Sequence, residues 1–429
     1  MERVAVILAA GLGTRMKSGL PKAAHQLAGV PMLNHLLRAA DSVFDRIVVV
    51  VGPDMPELTA LAAAHQVVVQ QERLGTAHAA LQALEAFGDG QVAILYADNP
   101  LVTSGTMQAL RQRLDAGDAG LVLLGMSPPD PGKYGRLICK DGYVTRIMEY
   151  ADATAAERAI GFCNAGGMMA KARDLANWLS QVSNKNAKSE FYLTDIVAIA
   201  RAKGTKVAAV TAPFTECMGV NSRSELAAAE AALQVRLRTA AMDNGVAMQA
   251  PETVFLSYDT ILAEDVSVGP YVVFGPGVTV AAGAQIKAFS HLEGCVVREG
   301  AIIGPYARLR PGADIGRGAH VGNFVEIKAA SLGEKAKANH LTYIGDAEIG
   351  ERSNIGAGFI TCNYDGEHKH KTKIGKNVFV GSDVAMVAPV SVGDGALIAA
   401  GSVITEDVPA DSLAIARSRQ VQKIKKGSK

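Results

Sequence analysis

The sequence has little excess charge, few aromatic residues and no long apolar run, and each shortage excludes a class of protein. Its 43 Lys and Arg residues are balanced by 42 Asp and Glu, which leaves a formal net charge of +1. A general nucleic-acid binder would carry a basic excess or stripe, so we expect no nucleic-acid partner. Aromatic residues make up only 5% of the chain, with a single Trp. No apolar stretch reaches the length of a membrane span.

Cysteine is also sparse and forms no recognisable metal or disulfide pattern. The five residues are far apart, odd in number and without CxxC or Cys/His spacing: Cys139, Cys163, Cys217, Cys295 and Cys362. The apolar run Val4–Leu8 is soon followed by Gly and Arg, which favours a buried strand over a signal peptide. We therefore expect a reduced, cytoplasmic protein.

Glycine, by contrast, is abundant. The 44 glycines among 429 residues are about a tenth of the chain, against a usual share of about 7%. A chain of this length exceeds one compact core, so two or three domains are expected. Combined with 49% apolar residues, this composition indicates a repetitive and tightly packed region.

Strand-like and helix-like segments alternate in the first half of the chain. The strand-like runs are short and rich in aliphatic residues: Val4–Leu8, Ile47–Val51, Val67–Gln70, Val92–Tyr96 and Leu121–Leu124. This alternation predicts an α/β domain over residues 1–221, with a Rossmann-like, mostly parallel sheet. Residues 222–245, which open with the capping-box pair Ser222 and Glu225, predict a helix joining this domain to residues 246–429.

From about residue 261 the apolar pattern has a period of six. Large apolar residues recur at Val268, Phe274, Val280, Ile286 and Leu292, then at Val297, Ile303, Leu309, Ile315, Val321 and Ile327, and finally at Ile374, Val380, Met386, Val392, Ile398 and Ile404. Small residues stand two positions earlier at Cys295, Ala301, Ala307, Ala313 and Ala319, and glycines follow at Gly304, Gly316, Gly322, Gly375, Gly381 and Gly393. The pattern predicts a solenoid of short strands whose corner glycines adopt positive φ.

A glycine-rich turn follows the first predicted strand. The segment Gly11–Met16 lacks the third glycine of a dinucleotide-binding GxGxxG loop. It carries Arg15 instead, and Lys22 follows shortly after Leu20-Pro21. Backbone N–H groups with two cations suit a triphosphate. On these residues alone, an ordinary turn that binds no ligand is an equally good interpretation.

The segment LAAGLGTRM followed by LPK resembles the sugar-1-phosphate nucleotidyltransferases. Tyr96-Ala97-Asp98-Asn99-Pro100-Leu101 is similar to the metal-site loop of that family, with Ala97 in place of its usual Gly. The resemblance implies that Arg15 and Lys22 are catalytic and that Asp98 and Asn221 hold Mg²⁺, an ion that prefers oxygen ligands. It implies binding of UTP and sugar phosphate by Leu8, Ala9, Ala10, Gly11, Lys22, Gln70, Gly75, Thr76, Tyr96, Ala97, Asp98, Gly135, Glu149, Asn164 and Asn221.

The phase of the repeat points to a second site. Taking three hexads per coil, Ile327 and Ile344 are equivalent one coil apart, so Glu326 and Tyr343 stack on the outer surface at about 4.8 Å. After Ile355 the repeat breaks until Ile374, and a polar loop containing TCNYDG leaves the solenoid there. His340 lies at the intervening corner; a solvated imidazole is the simplest interpretation of a lone histidine.

The segments HVGNFVEIKAA, NHLTYIGDAEIG and TCNYDG, with the first half, resemble the family of bifunctional bacterial N-acetylglucosamine-1-phosphate uridylyltransferase/glucosamine-1-phosphate acetyltransferases. The resemblance implies a left-handed β-helix and a homotrimer. It implies that His340 is the general base for acetyl transfer and that Glu326 orients or charge-balances its imidazole. It also implies contacts to the sugar phosphate from Arg310, Lys328, Tyr343 and Asn354, and to acetyl-CoA from Ala357, Asn363, Tyr364, Ser382, Ala400 and Arg417.

The leading hypothesis is therefore an enzyme with two reactions. Glucosamine-1-phosphate is acetylated by acetyl-CoA, and the N-acetylglucosamine-1-phosphate formed reacts with UTP to give UDP-N-acetylglucosamine and pyrophosphate. Two alternatives remain. One keeps only nucleotidyl transfer, with a regulatory hexapeptide domain; the other is a non-catalytic assembly protein with a decayed transferase domain.

Overall fold

A computed structural model describes residues 1–186 and 189–423. Its contacts divide the chain into two compact units, Met1–Leu233 and Gln234–Lys429. Within the described residues, no helix is both long enough and apolar enough to cross a membrane. The basic segment 424–429 lies outside the described residues.

The first unit is built on a mixed sheet, in which nine strands are found among the described residues. They are β1 (Arg3–Leu8), β2 (Arg46–Val51), β3 (Gln66–Val69), β4 (Gln91–Tyr96), β5 (Leu121–Met126), β6 (Arg136–Lys140), β7 (Tyr143–Met148), β8 (Cys163–Lys171) and β9 (Val207–Ala212). The main spatial order is β9-β5-β8-β4-β1-β2-β3, and β6 pairs with both β8 and β7. Only β8 runs antiparallel to its neighbours along that main path.

Helices cover both faces of this sheet. They are α1 (Met32–Asp41), α2 (Pro56–Leu61), α3 (Thr76–Leu81), α4 (Ser104–Asp115), α5 (Ala155–Arg158), α6 (Ala172–Leu179) and α7 (Ile196–Ala202). Alternate residues of β1 enter different cores: Val4 and Val6 pack into one apolar cluster, and Ala5 and Ile7 into the other. The strands β1, β2, β4 and β5 are buried along nearly their whole length, which explains their continuous aliphatic sequences. The predicted α/β architecture is confirmed, whereas the antiparallel β8 was not foreseen.

A long helix, α8 (Arg223–Asp243), follows where the capping pair predicts one. The Ser222 hydroxyl accepts from the Glu225 N–H at 3.3 Å. The return bond differs from a capping box, because Glu225 Oε2 accepts from the N–H of Asn221 at 2.7 Å. The start of the helix therefore fixes the backbone of Asn221.

The second unit is a parallel β-helix. Its strands are Ala247–Met248, Ile261–Leu262, Ser267–Val268, Val273–Phe274, Thr279–Val280, Gln285–Ile286, His291–Leu292, Val296–Val297, Ile302–Ile303, Arg308–Leu309, Asp314–Ile315, His320–Lys328, Ser331–Leu332, Lys337–Gly345, Ala347–Ile349, Asn354–Ile355, Ile360–Cys362, Thr372–Ile374, Phe379–Val380, Ala385–Val387, Val390–Val392, Leu397–Ile398, Val403–Ile404 and Leu413–Ala414. Each pairs in parallel with the strand one coil away, as where Ile286 faces Ile303. Every large apolar residue of the predicted period is buried, with at most 4% of its surface exposed.

The register confirms the predicted equivalence of Ile327 and Ile344 and of Glu326 and Tyr343. Most coils take 17 or 18 residues, but Ile355 pairs with Val380, so that coil contains the predicted polar excursion.

The role expected for the corner glycines is mostly wrong. Among the glycines that follow the apolar residues, Gly304 has positive φ, but Gly316, Gly322, Gly375, Gly381 and Gly393 do not. Their constraint is the neighbouring coil: a Cβ at Gly322 would lie 1.9 Å from the carbonyl oxygen of Asn339, and one at Gly316 would lie 2.6 Å from that of Leu332. Glycine is needed at these positions because adjacent coils approach too closely for a side chain.

This explanation predicts that Gly316→Ala destabilises the β-helix more than Gly283→Ala does. Gly283 has φ +68 with open space around its missing Cβ, so alanine there meets only backbone strain of about 1 kcal/mol. At Gly316 the coils must separate, at a cost of about 3 kcal/mol. Calorimetric melting of both variants checks the difference, and equal losses would contradict it.

Candidate active sites

In the first unit, a pocket of about 290 Å³ opens at the carboxyl ends of β1, β3 and β4. The sheet order changes direction between β1 and β4, which is where open α/β sheets bind ligands. The pocket is lined by predicted residues, namely Leu8, Ala9, Ala10, Gly11, Lys22, Gln70, Gly75, Thr76, Tyr96, Ala97 and Asp98. Ala23, Arg73, Ala79 and Glu190 also line it and were not predicted.

The lysine and one candidate metal ligand, Asp98, line this pocket, and the lysine also contacts the other candidate ligand, Asn221. Lys22 Nζ lies 2.6 Å from Asp98 Oδ2 and 2.9 Å from Asn221 Oδ1. The carbonyl oxygen of Asp98 accepts from the N–H of Val220 at 2.8 Å, so the two ligand-bearing segments are tied together. Two oxygens from distant parts of the chain thus converge on one cation.

These residues fit Mg²⁺. The donors are a carboxylate and an amide oxygen, and an ammonium group already stands where both point. Mg²⁺ usually takes one or two carboxylates and completes its shell with water and substrate phosphate. The described part of the chain contains no cluster of three or more His, Cys, Asp or Glu side chains that could hold a metal by itself.

The two arginines near the glycine-rich turn differ in position. Arg15 is exposed on the short helix Thr14–Met16 and does not line the pocket. Arg73, which sequence reasoning missed, donates from Nε to the carbonyl oxygen of Ala10 at 2.8 Å. It thereby fixes the turn that follows β1, and no sequence motif marks it.

Gln70 and the start of α3 form the far wall of the pocket. The Gln70 amide donates to the carbonyl oxygen of Gly75 at 3.1 Å and lies 3.0 Å from His78 Nδ1. Gly75 has φ +121, and a Cβ there would lie 2.5 Å from the carbonyl oxygen of Phe191. Thr76 Oγ1 accepts from the N–H of Leu193 at 2.9 Å. The wall is therefore held rigidly from several directions.

The other predicted sugar contacts form a second group beside Tyr96. The N–H of Asn164 donates to the carbonyl oxygen of Gly135 at 2.8 Å. A Cβ at Gly135 would lie 3.6 Å from a carboxylate oxygen of Glu149. Burial raises the pKa of the Tyr96 phenol, and the nearby negative charges of Asp98 and Glu149 raise it further. Tyr96 is therefore a neutral wall between the two groups.

In the second unit, the predicted base His340 is exposed at a corner of the β-helix. Its partner is Asn323, whose Oδ1 lies 2.7 Å from His340 Nδ1 and which is in register with it one coil earlier. Because a carbonyl oxygen can only accept, this contact favours the tautomer of the neutral imidazole that has its proton on Nδ1 and a lone pair on Nε2. Sequence reasoning missed Asn323, although the repeat phase that aligned Glu326 with Tyr343 also aligns these two.

Glu326 does not contact the imidazole as expected. Its carboxylate pairs with Arg310 at 2.9 Å and with Arg308 at 3.4 Å, across the preceding coil. Among the described residues, the side chain that contacts the imidazole is therefore Asn323, and Glu326 contacts Arg310. That Glu326 orients or charge-balances His340 stays a prediction.

Lys328, Lys369 and Arg310 form a cationic group near Glu326. Contact with the Lys369 ammonium lowers the pKa of Lys328, and the charge of Arg310 lowers it further. Lys369, which was not predicted, belongs to the polar loop. The Asp346 carboxylate opposes this lowering of the Lys328 pKa, and Arg310 is paired with Glu326. A group of cations of this kind suits an anionic ligand such as phosphate.

The remaining predicted residues lie nearby. A Cβ at Gly345 would lie 2.4 Å from Tyr343 Oη and 2.9 Å from Asn363 Nδ2, which places these side chains together. Tyr364 is exposed on the polar loop. Asn354 is on the coil after His340, in register with Lys337.

Three of the predicted acetyl-CoA residues follow one corner of the β-helix. Backbone hydrogen bonds link this corner from coil to coil. The N–H of Gly358 donates at 3.1 Å to the carbonyl oxygen of Leu341, which is next to His340. The N–H of Asp383 donates to the carbonyl oxygen of Ala357 at 2.7 Å, and that of Gly401 donates to the carbonyl oxygen of Ser382 at 2.8 Å. This column, which we call the His340 corner, carries Ala357, Ser382 and Ala400 on successive coils. Arg417 Cδ lies 3.6 Å from where a Cβ on Gly401 would be.

Models of different protein families match the first and the second unit. The MobA-like NTP transferase domain matches residues 5–160, the bacterial transferase hexapeptide (six repeats) matches 294–329, and the hexapeptide repeat of succinyl-transferase matches 371–406. The chain is 66% identical to the bifunctional protein GlmU of Acidiphilium cryptum, over 99% of this chain and 97% of that protein. It is 62% identical to that of Gluconacetobacter diazotrophicus, over 99% and 93%. The chain belongs to the GlmU family.

As a GlmU family member, the chain is a bifunctional enzyme of UDP-N-acetylglucosamine synthesis. The NTP transferase model matches residues of the first unit, and the hexapeptide models match residues of the second, a left-handed β-helix. The alternatives of a single activity and of a decayed transferase are thereby set aside.

Proposed function

We propose that the pocket at the carboxyl edge of the first sheet is the uridylyltransferase site and that the His340 corner belongs to the acetyltransferase site. The observation that carries the first assignment is that Lys22 and Asp98 line that pocket and that Lys22 Nζ contacts both Asp98 and Asn221. We further propose that residues 1–221 and 246–429 hold the two activities and that 222–245 connects them.

In the first site, positioning and charge neutralisation carry the reaction. An oxygen of N-acetylglucosamine-1-phosphate attacks the α-phosphorus of UTP, a new P–O bond forms, and the bond to pyrophosphate breaks. Lys22 and Arg15 neutralise phosphate charge, and the turn of Ala10 and Gly11 approaches the nucleotide. Gln70, Gly75 and Thr76 contact the base, while Gly135, Glu149 and Asn164 hold the sugar.

Mg²⁺ would be held by Asp98 and Asn221. When bound, the ion supplies positive charge that offsets charge on the transferring phosphate. Glu225 supports this site indirectly, since its carboxylate fixes the Asn221 backbone.

In the second site, the amine of glucosamine-1-phosphate attacks the acetyl-CoA thioester. The C–N bond forms, and the amine proton passes to Nε2 of His340, which Asn323 leaves free to accept it. The C–S bond breaks, and CoA leaves as a thiolate that takes up the proton from the imidazolium to give the free thiol. Arg310, Lys328 and Lys369 bind the sugar phosphate, with Tyr343 and Asn354 on the sugar. Acetyl-CoA lies along the His340 corner, where it contacts Ala357, Asn363, Tyr364, Ser382, Ala400 and Arg417.

Separate substitutions test the two assignments. Asp98→Asn is expected to lower Mg²⁺-dependent pyrophosphate release about 100-fold or more and to leave acetyl-CoA thiol release unchanged. His340→Ala is expected to lower thiol release about 100-fold or more and to spare pyrophosphate release. Both assays on the same preparations check this, each variant serving as the folding control for the other. Loss of both activities in either variant would contradict the separation.

A second experiment tests how Asn323 orients His340. Asn323→Ala is expected to lower kcat for acetyl transfer about tenfold or more at nearly unchanged KM, because the imidazole loses its tautomer preference. Asn323→Asp restores an acceptor and stabilises the imidazolium, so activity returns while the acid limb of the pH–rate profile moves to higher pH. A merely structural Asn323 would instead raise KM in both variants and leave the profile unmoved.

We also propose a cytoplasmic homotrimer, consistent with the use of UTP and acetyl-CoA. Tyr271, Phe289, Tyr306 and Phe324 stack on the exposed surface of consecutive coils, with ring centroids 5.0, 4.8 and 5.3 Å apart. We call this set the aromatic ladder. An exposed apolar row of this kind favours a protein interface, and a second copy of the chain is the occupant that the family resemblance implies.

Sedimentation equilibrium tests the assembly. The double variant Phe289→Glu/Tyr306→Glu is expected to dissociate the trimer and lower thiol release, while sparing pyrophosphate release. Ile261→Glu, at another exposed apolar position, is the matched control and should remain trimeric. A monomeric wild-type protein would contradict the proposal.

A further inference from the structure

Lys22 stands in an unusual place for a residue that acts on phosphate. Its Nζ donates to Asp98 Oδ2 at 2.6 Å and to Asn221 Oδ1 at 2.9 Å, the two oxygens assigned to the metal. Both side chains of the Lys22–Asp98 pair are largely shielded, with 15% and 22% of their surface exposed. In the chain alone, the lysine therefore neutralises the carboxylate at the metal position.

The ammonium and a metal ion cannot share these oxygens. Mg²⁺ binds oxygen at about 2.0–2.1 Å, closer than any hydrogen-bonded nitrogen, and two cations at this separation repel each other. Arrival of the ion must therefore remove Nζ from Asp98 and Asn221.

The stem of Lys22 limits where the ammonium can go. A Cβ at Gly13 would lie 2.6 Å from the Cβ of Lys22, so the stem packs directly against the glycine-rich turn. Its backbone begins the short helix Lys22–Ala24. Only the outer part of the side chain can swing, and the pocket it lines also contains Ala10 and Gly11.

We propose that Lys22 is an internal cation that occupies the metal position in the ligand-free chain and is displaced by the ion toward the nucleotide phosphates. The proposal rests on the assignment of Asp98 and Asn221 as metal ligands. Because metal binding frees Nζ and phosphate gives it a new partner, the two ligands bind with positive coupling. Without nucleotide, the metal must compete with an internal ion pair.

The test is a Mn²⁺ titration of the full chain without nucleotide, with free ion followed by electron paramagnetic resonance. Lys22→Met is expected to bind Mn²⁺ roughly tenfold tighter than wild type, since no ammonium competes for Asp98. Arg15→Met is the matched control: it removes a cation from the same turn that, in the described chain, bonds to neither ligand. Its affinity should stay within about twofold at moderate salt, which screens distant charges. Asp98→Asn should bind weakly.

Two results would overturn the proposal in distinguishable ways. If Lys22→Met binds Mn²⁺ no tighter than Arg15→Met while Asp98→Asn still weakens binding, the metal site stands and the displacement fails. If Asp98→Asn binds like wild type, the metal-site assignment fails and the displacement fails with it.

A second measurement needs no change at Lys22. Reductive methylation of wild type, read by peptide mass spectrometry, should label Lys22 several-fold faster with Mg²⁺ than without, because Nζ leaves the shielded pair. Asp98→Asn should label at a rate independent of Mg²⁺. Wild-type labelling that does not change or slows with Mg²⁺ would overturn the displacement.

Discussion

Parallel pairing of neighbouring strands, at a spacing of about 4.8 Å, is the constraint on which both units depend. In the first unit it brings the ends of β1 and β4 to one edge, where Leu8 and Tyr96 are aligned in register. In the second it places residues one coil apart in direct contact, so that Asn323 meets His340. Each site is therefore assembled by strand register, and side chains distant in sequence need little further adjustment to meet.

The parts of this arrangement that depend on period were predictable. Burial of one residue in six and the stacking of Glu326 on Tyr343 follow from counting, because each coil repeats the last. The contacts of long side chains were not predictable in this way. Glu326 reaches Arg310 on the coil before it, although register alone places it equally near residues of the next coil. Arg73 was missed because its bond to Ala10 joins two loops that are far apart in the sequence.

The reason for the corner glycines could not be read from the sequence either. A glycine required by positive φ and one required by close approach look identical in a repeat. The distinction appears only once Gly322 is seen against the carbonyl of Asn339. By contrast, Tyr271 adopts positive φ without being glycine. Positive φ at the corners is thus adopted by other residues as well as by glycine, and the glycine content alone does not reveal this.

The coil that joins Ile355 to Val380 has a wider consequence. It is longer than its neighbours, yet Ile349 still pairs with Ile374 and Thr361 with Met386, so the ladder continues in register on either side of the excursion. The β-helix therefore accommodates an insertion between two strands without a shift in the pairing of those strands. A loop at this point can change in length without changing the pairing of the strands beneath it.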